Sequence, residues 1–363
     1  MTDTQITQSI DEAKVQGFVG QLVTDFAGAA STAMTVVGDR LGLYRAMTGA
    51  GPVTAAKLAA TTGLHPRLVT EWLRQQAVSG YVTTDDEDSF ELPMEHALAL
   101  SVVDSPAYVV GVGEIVVGWF LSMAKLEDAF RTDGGIGYGD LPDCTYHGIE
   151  RFFRTAYVNQ LAQSWFPAVP GLVAKLEAGA RVADVGCGHG VATLLVGNTW
   201  PAAQVIGFDH HAPSVATARA KATEAGSPAN VSFRVADSAG FGTEGPYDVV
   251  VFFDSLHDLG DPSAALRAAH DSLADGGIVV AVEPWSTDRL ADEIGNPVAR
   301  IGYTSSTALC TPGSLSQPGA YGLGTQGGPA KRIALLTEAG FADATVAADT
   351  GFNLVIAATK PAR

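Results

Sequence analysis

The sequence predicts an α/β fold: a doubly wound, largely parallel sheet that ends in an antiparallel hairpin, behind a mostly α winged-helix domain. Three observations predict it. From Arg181 onward, apolar strand-like runs alternate with helix-like segments, at 181–185, 204–208, 231–235, 247–252 and 277–282. That alternation builds a parallel sheet. Two further runs, 344–349 and 352–359, are joined by almost no chain, and a parallel pair needs a long crossover, so this pair is antiparallel. Residues 51–92 carry the order helix, turn, helix, hairpin.

The N-terminal elements follow from local signals. Val15, Phe18, Val19, Leu22, Val23 and Phe26 recur at helical spacing within 11–47. Gly51-Pro52 breaks the chain, and Thr54 can cap a short helix that stops at Gly63. Pro66 suits the first turn of the next helix, which ends near Ser79-Gly80. Tyr81–Thr84 and Phe90–Leu92 read as the strands of a hairpin around Asp85–Ser89. Residues 94–178 read as mostly helical, broken at 133–143. Residues 311–329 hold nine Gly or Pro in 19 positions and predict no regular element.

Composition limits the function. Of 363 residues, 47% are hydrophobic and 17% charged, enough apolar material for real cores and too much for disorder. The formal charge is −17, and residues 1–150 hold 8 Lys/Arg against 20 Asp/Glu. Such a chain repels nucleic acid and anionic lipid. Three scattered cysteines with no CxxC suggest neither disulfides nor a thiolate zinc site, and fit a reducing cytoplasm. The most apolar stretch, 107–126, contains Glu114 and three glycines, so it reads as a buried helix rather than a membrane span.

The sharpest chemical feature is RVADVGCGHGVATLLV, 181–196. A strand ends at Asp184, and glycines follow at 186, 188 and 190. Glycines at such a turn let a ligand approach the backbone. The nicotinamide fingerprint would need glycine at 191, where Val191 stands. An acid before the first glycine suits a cationic ligand end better than a pyrophosphate. The next strand ends in Asp209, placed to accept both hydroxyls of a ribose. The third ends in Asp237-Ser238, able to read an adenine edge.

On these motifs the sequence resembles the class I S-adenosylmethionine-dependent methyltransferases. It is most similar to their winged-helix branch, the caffeate-type and actinobacterial small-molecule O-methyltransferases. The resemblance implies a Rossmann-like seven-stranded sheet, S-adenosyl-L-methionine as cofactor, and a homodimer built through the N-terminal domain. It places Asp184, Gly186, Gly188 and Gly190 under the methionine part, Asp209 at the ribose and Asp237 beside the adenine. Cys187, His210, Ala236, Ser238 and Asp254 stand in or beside the same loops and complete the implied cofactor set.

YDVVVFFDSLHDLGDPSAAL, 247–266, resembles the family segment that carries the general base, with Leu259 in place of a tryptophan. His257 falls at the base, and Glu283, which ends the fifth strand, falls at an acid beside it. An imidazole that takes the proton of a hydroxyl is worth roughly 10²–10⁴ in rate. The family's further carboxylate before the last helix is missing from GTQGGPAKRIALL. Relatives that hold a metal use a second histidine about fifty residues after the first; this chain offers Cys310 there, so no metal is expected. Tyr303, Ser314, Ser316, Gln317 and Tyr321 are candidate polar anchors for substrate.

The expected domains are 1–105 for dimerisation, 106–170 as helical linker and lid, and 171–363 for the cofactor. The alternative is a DNA-binding regulator with a ligand-sensing methyltransferase-like body. Lys57, Arg67 and Arg74 against eight acids in 51–104 oppose it, since phosphate contacts need basic residues. A relative that has lost methyl transfer is a third reading, although the motif loop is intact. Expected partners are a small-molecule substrate and a second copy of the chain, with neither nucleic acid nor membrane.

Overall fold

The computed structural model describes residues 10–362. It divides into two compact units, one through Val117 and the other from Gly118, so the 106–170 stretch contributes to both.

In the first unit, helix Glu12–Arg40 is capped by Asp11, whose carboxylate accepts the N–H of Ala13 and Lys14. Helix Ala55–Thr62 runs from the Thr54 cap to Gly63, which takes φ +69°. Helix Pro66–Val78 follows, with proline in its first turn. These bounds agree with the sequence signals. The hairpin is smaller than expected. Residues 81–84 contribute one bridge, Thr83 to Glu91. Strand β2 (Ser89–Phe90) pairs instead with β1 (Val53–Thr54). The reason is local: the Asp86 carboxylate accepts the N–H of Asp88 and Ser89 and turns the chain there.

The core of this unit is Leu43, Tyr44, Met47, Leu58, Val69, Trp72, Leu73 and Phe90. Two polar anchors fix its aromatic rings. The Tyr44 hydroxyl donates to the buried Gln76 Oε1 at 2.5 Å, and Trp72 Nε1 donates to the Met34 carbonyl at 2.9 Å. Helix Gly111–Leu121 carries Glu114, which is 2% exposed and faces Arg40 Nε at 3.1 Å. The carboxylate within the apolar stretch is thus paired. Among the described residues, no helix is long and apolar enough to cross a membrane. Val15, Phe18, Val19, Val23 and Phe26 form an exposed stripe on the first helix, with Phe26 68% exposed.

The second unit holds a seven-stranded sheet: β3 (Arg181–Val185), β4 (Gln204–Asp209), β5 (Val231–Val235), β6 (Tyr247–Phe253), β7 (Leu273–Pro284), β8 (Ala342–Asp349) and β9 (Asn353–Thr359). Its order is β5-β4-β3-β6-β7-β9-β8. The first five strands are parallel, and β9 enters antiparallel between β7 and β8. The order reverses between β3 and β6, which opens a crevice at their C-terminal ends. One face packs on Phe208, Phe241, Phe252, Leu266 and Leu336. The other packs on Leu161, Trp165, Phe166, Val182 and Val249, so the chain before the sheet supplies part of its core.

One expectation fails here. Residues 311–315 are helical and continue helix Pro297–Ser305 through a wide turn at Ser306–Cys310. Pro312 has no N–H to give and would clash in a regular turn; a wide turn ahead of it relieves both problems. Only from Ser316 is the segment irregular, and a further helix starts at Pro329.

Gly38 sits where a Cβ would lie 2.3 Å from Trp72 Cζ2, and the indole cannot swing away without losing its bond to Met34. Gly38→Ala is expected to destabilise the protein by about 1–3 kcal/mol through overpacking, read as a lower urea midpoint at unchanged slope.

Candidate active site

The turn after β3 is built for close backbone approach. Gly186, Gly188 and Gly190 take φ of +80°, +51° and +76°. A Cβ on Gly186 would strike Ser255 Cβ at 2.5 Å, and one on Gly190 would strike the Phe233 ring at 2.6 Å. The N–H groups of Gly186 and Cys187 both donate to the Phe208 carbonyl, which stitches the turn to β4. The Cys187 sulfur packs against Gly207, and burial pushes its thiol pKa well up.

Asp184 is 1% exposed at the base of this turn. Its Oδ2 accepts the Thr193 hydroxyl at 2.5 Å, while Oδ1 is buried without a partner. Burial, with a smaller push from the Asp209 charge, raises its pKa to about 7 against the Thr193 bond. Asp209 closes β4. Its two oxygens accept the N–H of Gly188 at 2.9 Å and of His211 at 2.8 Å. His210 Nδ1 stands 3.7 Å from it and Ala236 donates its N–H to the Asp209 carbonyl. Asp237 is exposed; its Oδ1 accepts from Ala239 and Gly240 and shapes the loop that also holds the half-buried Ser238. Helix Asp143–Gln160 is tied to the glycine turn by Glu150, which accepts from His189 Nδ1 at 2.7 Å and pairs with Lys221.

Asp254 ends β6 at φ +49°. Its oxygens accept the Tyr157 hydroxyl at 2.9 Å and the Asn353 amide at 3.2 Å. Burial, and then the nearby Glu283 charge, push its pKa well up. The short turn Leu256–Asp258 then presents His257, 3% exposed. Its Nδ1 lies 2.8 Å from Glu283 Oε2, and its Nε2 lies 3.3 Å from Asp258 Oδ1. Burial alone would lower the imidazole pKa; Asp258 and Glu283 outweigh it and push it up to about 9. Glu283 is fully buried, and its Oε1 accepts the Leu256 N–H at 3.1 Å. Burial would raise the Glu283 pKa, but His257 and Arg332 hold it below the usual carboxylate range.

The fold thus brings Asp184, Asp209 and the glycine turn together, and pairs His257 with Glu283. Arg332 is the main residue that sequence reasoning missed. Its guanidinium is fully buried, with Nε 3.5 Å from Glu283 Oε2. Its helix carries Leu335 and Leu336 on a buried face, and the i+3, i+4 spacing from Arg332 was the available signal. Ser314 and Gln317 have a structural use. Ser314 donates to the Leu259 carbonyl at 2.7 Å, and Gln317 donates to the Asp258 carbonyl at 2.8 Å and accepts from Gly260. Both pin the turn that carries His257. The lack of a second histidine predicted a metal-free centre. The fold nonetheless brings Cys310 to His257 and Asp258, with their ligand atoms within 4.8 Å of one another. Burial and Asp258 push the Cys310 thiol well up.

A family model described as a methyltransferase domain matches residues 176–309, the stretch that holds every glycine and strand-end acid above. Residues 176–309 are a methyltransferase domain. Residues 29–102 match an Rv2258c-like winged HTH domain. The chain is 33% identical over 109 residues to trans-aconitate 2-methyltransferase of Streptomyces avermitilis, covering 30% of this chain and 40% of that protein. It is 30% identical over 122 residues to ubiquinone biosynthesis O-methyltransferase of Pseudomonas aeruginosa, covering 34% and 50%. The chain therefore spans half or less of these curated relatives. Whole-chain fold likeness is broader. Human N-acetylserotonin methyltransferase in complex with SAM aligns with a TM-score of 0.70 at 19% identity, over 98% of this chain and 100% of that one. An O-methyltransferase family protein from Burkholderia thailandensis aligns at 0.65 and 15%, over 98% and 99%.

Proposed function

We propose that the chain is an S-adenosylmethionine-dependent methyltransferase that methylates an oxygen of a small apolar or aromatic metabolite, with His257 as general base. The observation that carries this reading is Asp184. A buried carboxylate oxygen with no partner, set under a glycine turn, asks for a cation. An amino-acid ammonium supplies one, and Asp209 at the next strand end keeps lone pairs for ribose hydroxyls. Asp184, Gly186, Gly188, Gly190 and Asp209 would hold the cofactor, with Cys187, His210, Ala236, Asp237, Ser238 and Asp254 around it. The neighbours' printed names, including the human complex with SAM, support the same cofactor.

The bound cofactor supplies an electrophilic methyl on a sulfonium. Every other task falls to the chain. The turn Leu256–Asp258 aims the His257 ring, and Glu283 fixes its Nδ1 as the protonated nitrogen. Nε2 is then the atom that receives the substrate's proton. His257 rests as an imidazolium near neutrality because Asp258 and Glu283 flank it. It releases that proton more readily once a second positive charge shares the cleft. Residues 1–105 serve as the dimerisation domain, 106–170 as linker and lid, and 171–363 as the cofactor domain of a cytoplasmic enzyme. The exposed stripe from Val15 to Phe26 supports a second copy as the partner.

Four measurements test this reading. Calorimetric titration with S-adenosylhomocysteine should give micromolar binding that weakens at least tenfold in Asp209→Ala; an inert wild type would point to a different cofactor. With an acceptor found by screening, His257→Ala should lower kcat by about 10²–10⁴. On the wild type, kcat/KM should rise with pH and level off above about 9, because only the neutral imidazole accepts a proton. Unchanged turnover in the variant would mean transfer by alignment alone. Light scattering at micromolar concentration should return about twice the 37.5 kDa chain mass, and a monomer would leave the stripe unexplained.

A further inference from the structure

The guanidinium of Arg332 lies behind the base, out of reach of solvent. Three segments hold it: Nε faces Glu283 Oε2 at 3.5 Å, one NH₂ donates to Ser286 Oγ at 2.9 Å, and the other donates to the Thr325 carbonyl at 2.7 Å. Its contact to the catalytic pair runs through Glu283, so whatever it does there it does through that carboxylate.

Proton counting shows what that is. Glu283 and His257 share two titratable positions across one 2.8 Å hydrogen bond. With two protons on the pair, Nε2 is protonated either as imidazolium or as the wrong neutral tautomer, and it cannot accept. With one proton, Nδ1–H points at a carboxylate and Nε2 carries a lone pair. The one-proton state leaves a full negative charge on a completely buried group, and the imidazolium that balanced it is gone. Such a charge is retained only beside a counter-ion.

The other charged and titratable groups facing the pair do not supply one. Asp258 lies 3.3 Å from His257 Nε2, and Asp254 and Cys310 are close enough to act on the same groups. All three are acids. Tyr157 is bonded to Asp254 and is held neutral by burial and by the Asp254 charge. On the far side, Asp288 faces Arg332 itself. Among the described residues around Glu283, Arg332 is the cation that remains when His257 is neutral.

We propose that Arg332 is a positioning residue for the proton transfer: it keeps Glu283 a carboxylate while His257 is neutral, so that Nδ1 keeps its hydrogen and Nε2 its lone pair. The inference rests on the reading of His257 as base.

The test reads protonation directly and needs no acceptor. Histidine ¹³C and ¹⁵N labelling, with the His257 signals identified by their loss in His257→Gln, follows ring titration and tautomer in the whole protein. The wild type should titrate near 9 and become the Nδ1–H tautomer above its midpoint. In Arg332→Met the midpoint should rise by at least one pH unit, a tenfold tighter hold on the proton. Arg332→Lys should return it to within half a unit. S-adenosylhomocysteine binding should stay within a few-fold in both, which a merely structural role would not predict. A midpoint that is unchanged or lower in Arg332→Met overturns the proposal. If Arg332→Met fails to fold, Arg332→Met/Glu283→Gln decides, because a neutral glutamine needs no counter-ion. A double variant that folds supports the charge role, and one that stays unfolded makes Arg332 a packing residue. The base reading fails separately, if His257→Ala turns over unchanged, whatever the midpoints do.

Discussion

The fully buried carboxylate of Glu283 organises the C-terminal end of β6 and β7. It accepts the Leu256 N–H, the His257 ring and the charge of Arg332. Burying an ionised carboxylate unpaired is prohibitive, so these partners are obligatory. They come from the turn Leu256–Asp258 after β6 and from the helix Pro329–Glu338. One charge therefore fixes the turn that carries His257, the rotation of its ring and the seating of a helix from the end of the chain. Breaking such an arrangement by removing one partner costs about 3–5 kcal/mol, more than the bond itself is worth, because it strands the others.

A second constraint works at the cofactor end. The turn after β3 bends through three left-handed glycines and is stitched to the Phe208 carbonyl. Asp209 accepts the N–H of Gly188 and so belongs to the turn as well as to the proposed ribose site. Rigidity and recognition come from the same carboxylate. Glu150 does something similar from outside, clamped between His189 on the turn and Lys221 on the following helix. Helix Asp143–Gln160 is thereby referenced to the loop it flanks.

What was legible in the sequence was local. Thr54, Gly63 and Pro66 mark helix ends through their own backbone chemistry, and the structure keeps those ends. The strand ends at Asp184, Asp209 and Glu283 follow from apolar runs that stop at an acid. What was illegible depends on distant chain. Asn353 reaches Asp254 only because β9 enters the sheet beside β7 and pairs Pro284 with Asn353. Arg332 and Cys310 reach His257 from fifty to seventy-five residues further on. The helix at 311–315 was missed for another reason: a Gly and Pro count averages over a segment, whereas the wide turn at 306–310 rescues one proline at one place. In the wing, the side chain of Asp86 takes donors that a longer hairpin would have used.

The state of Asp184 has a consequence for traffic through the cleft. Burial raises the pKa of this carboxyl to about 7, so its neutral form persists far closer to neutrality than in an ordinary aspartate. On the proposed reading, an ammonium group arriving beside it favours the ionised form, so proton release balances part of the incoming charge. Acidification works against this exchange, and the proposed hold on a cation weakens as the carboxyl takes up its proton, without any movement of the backbone.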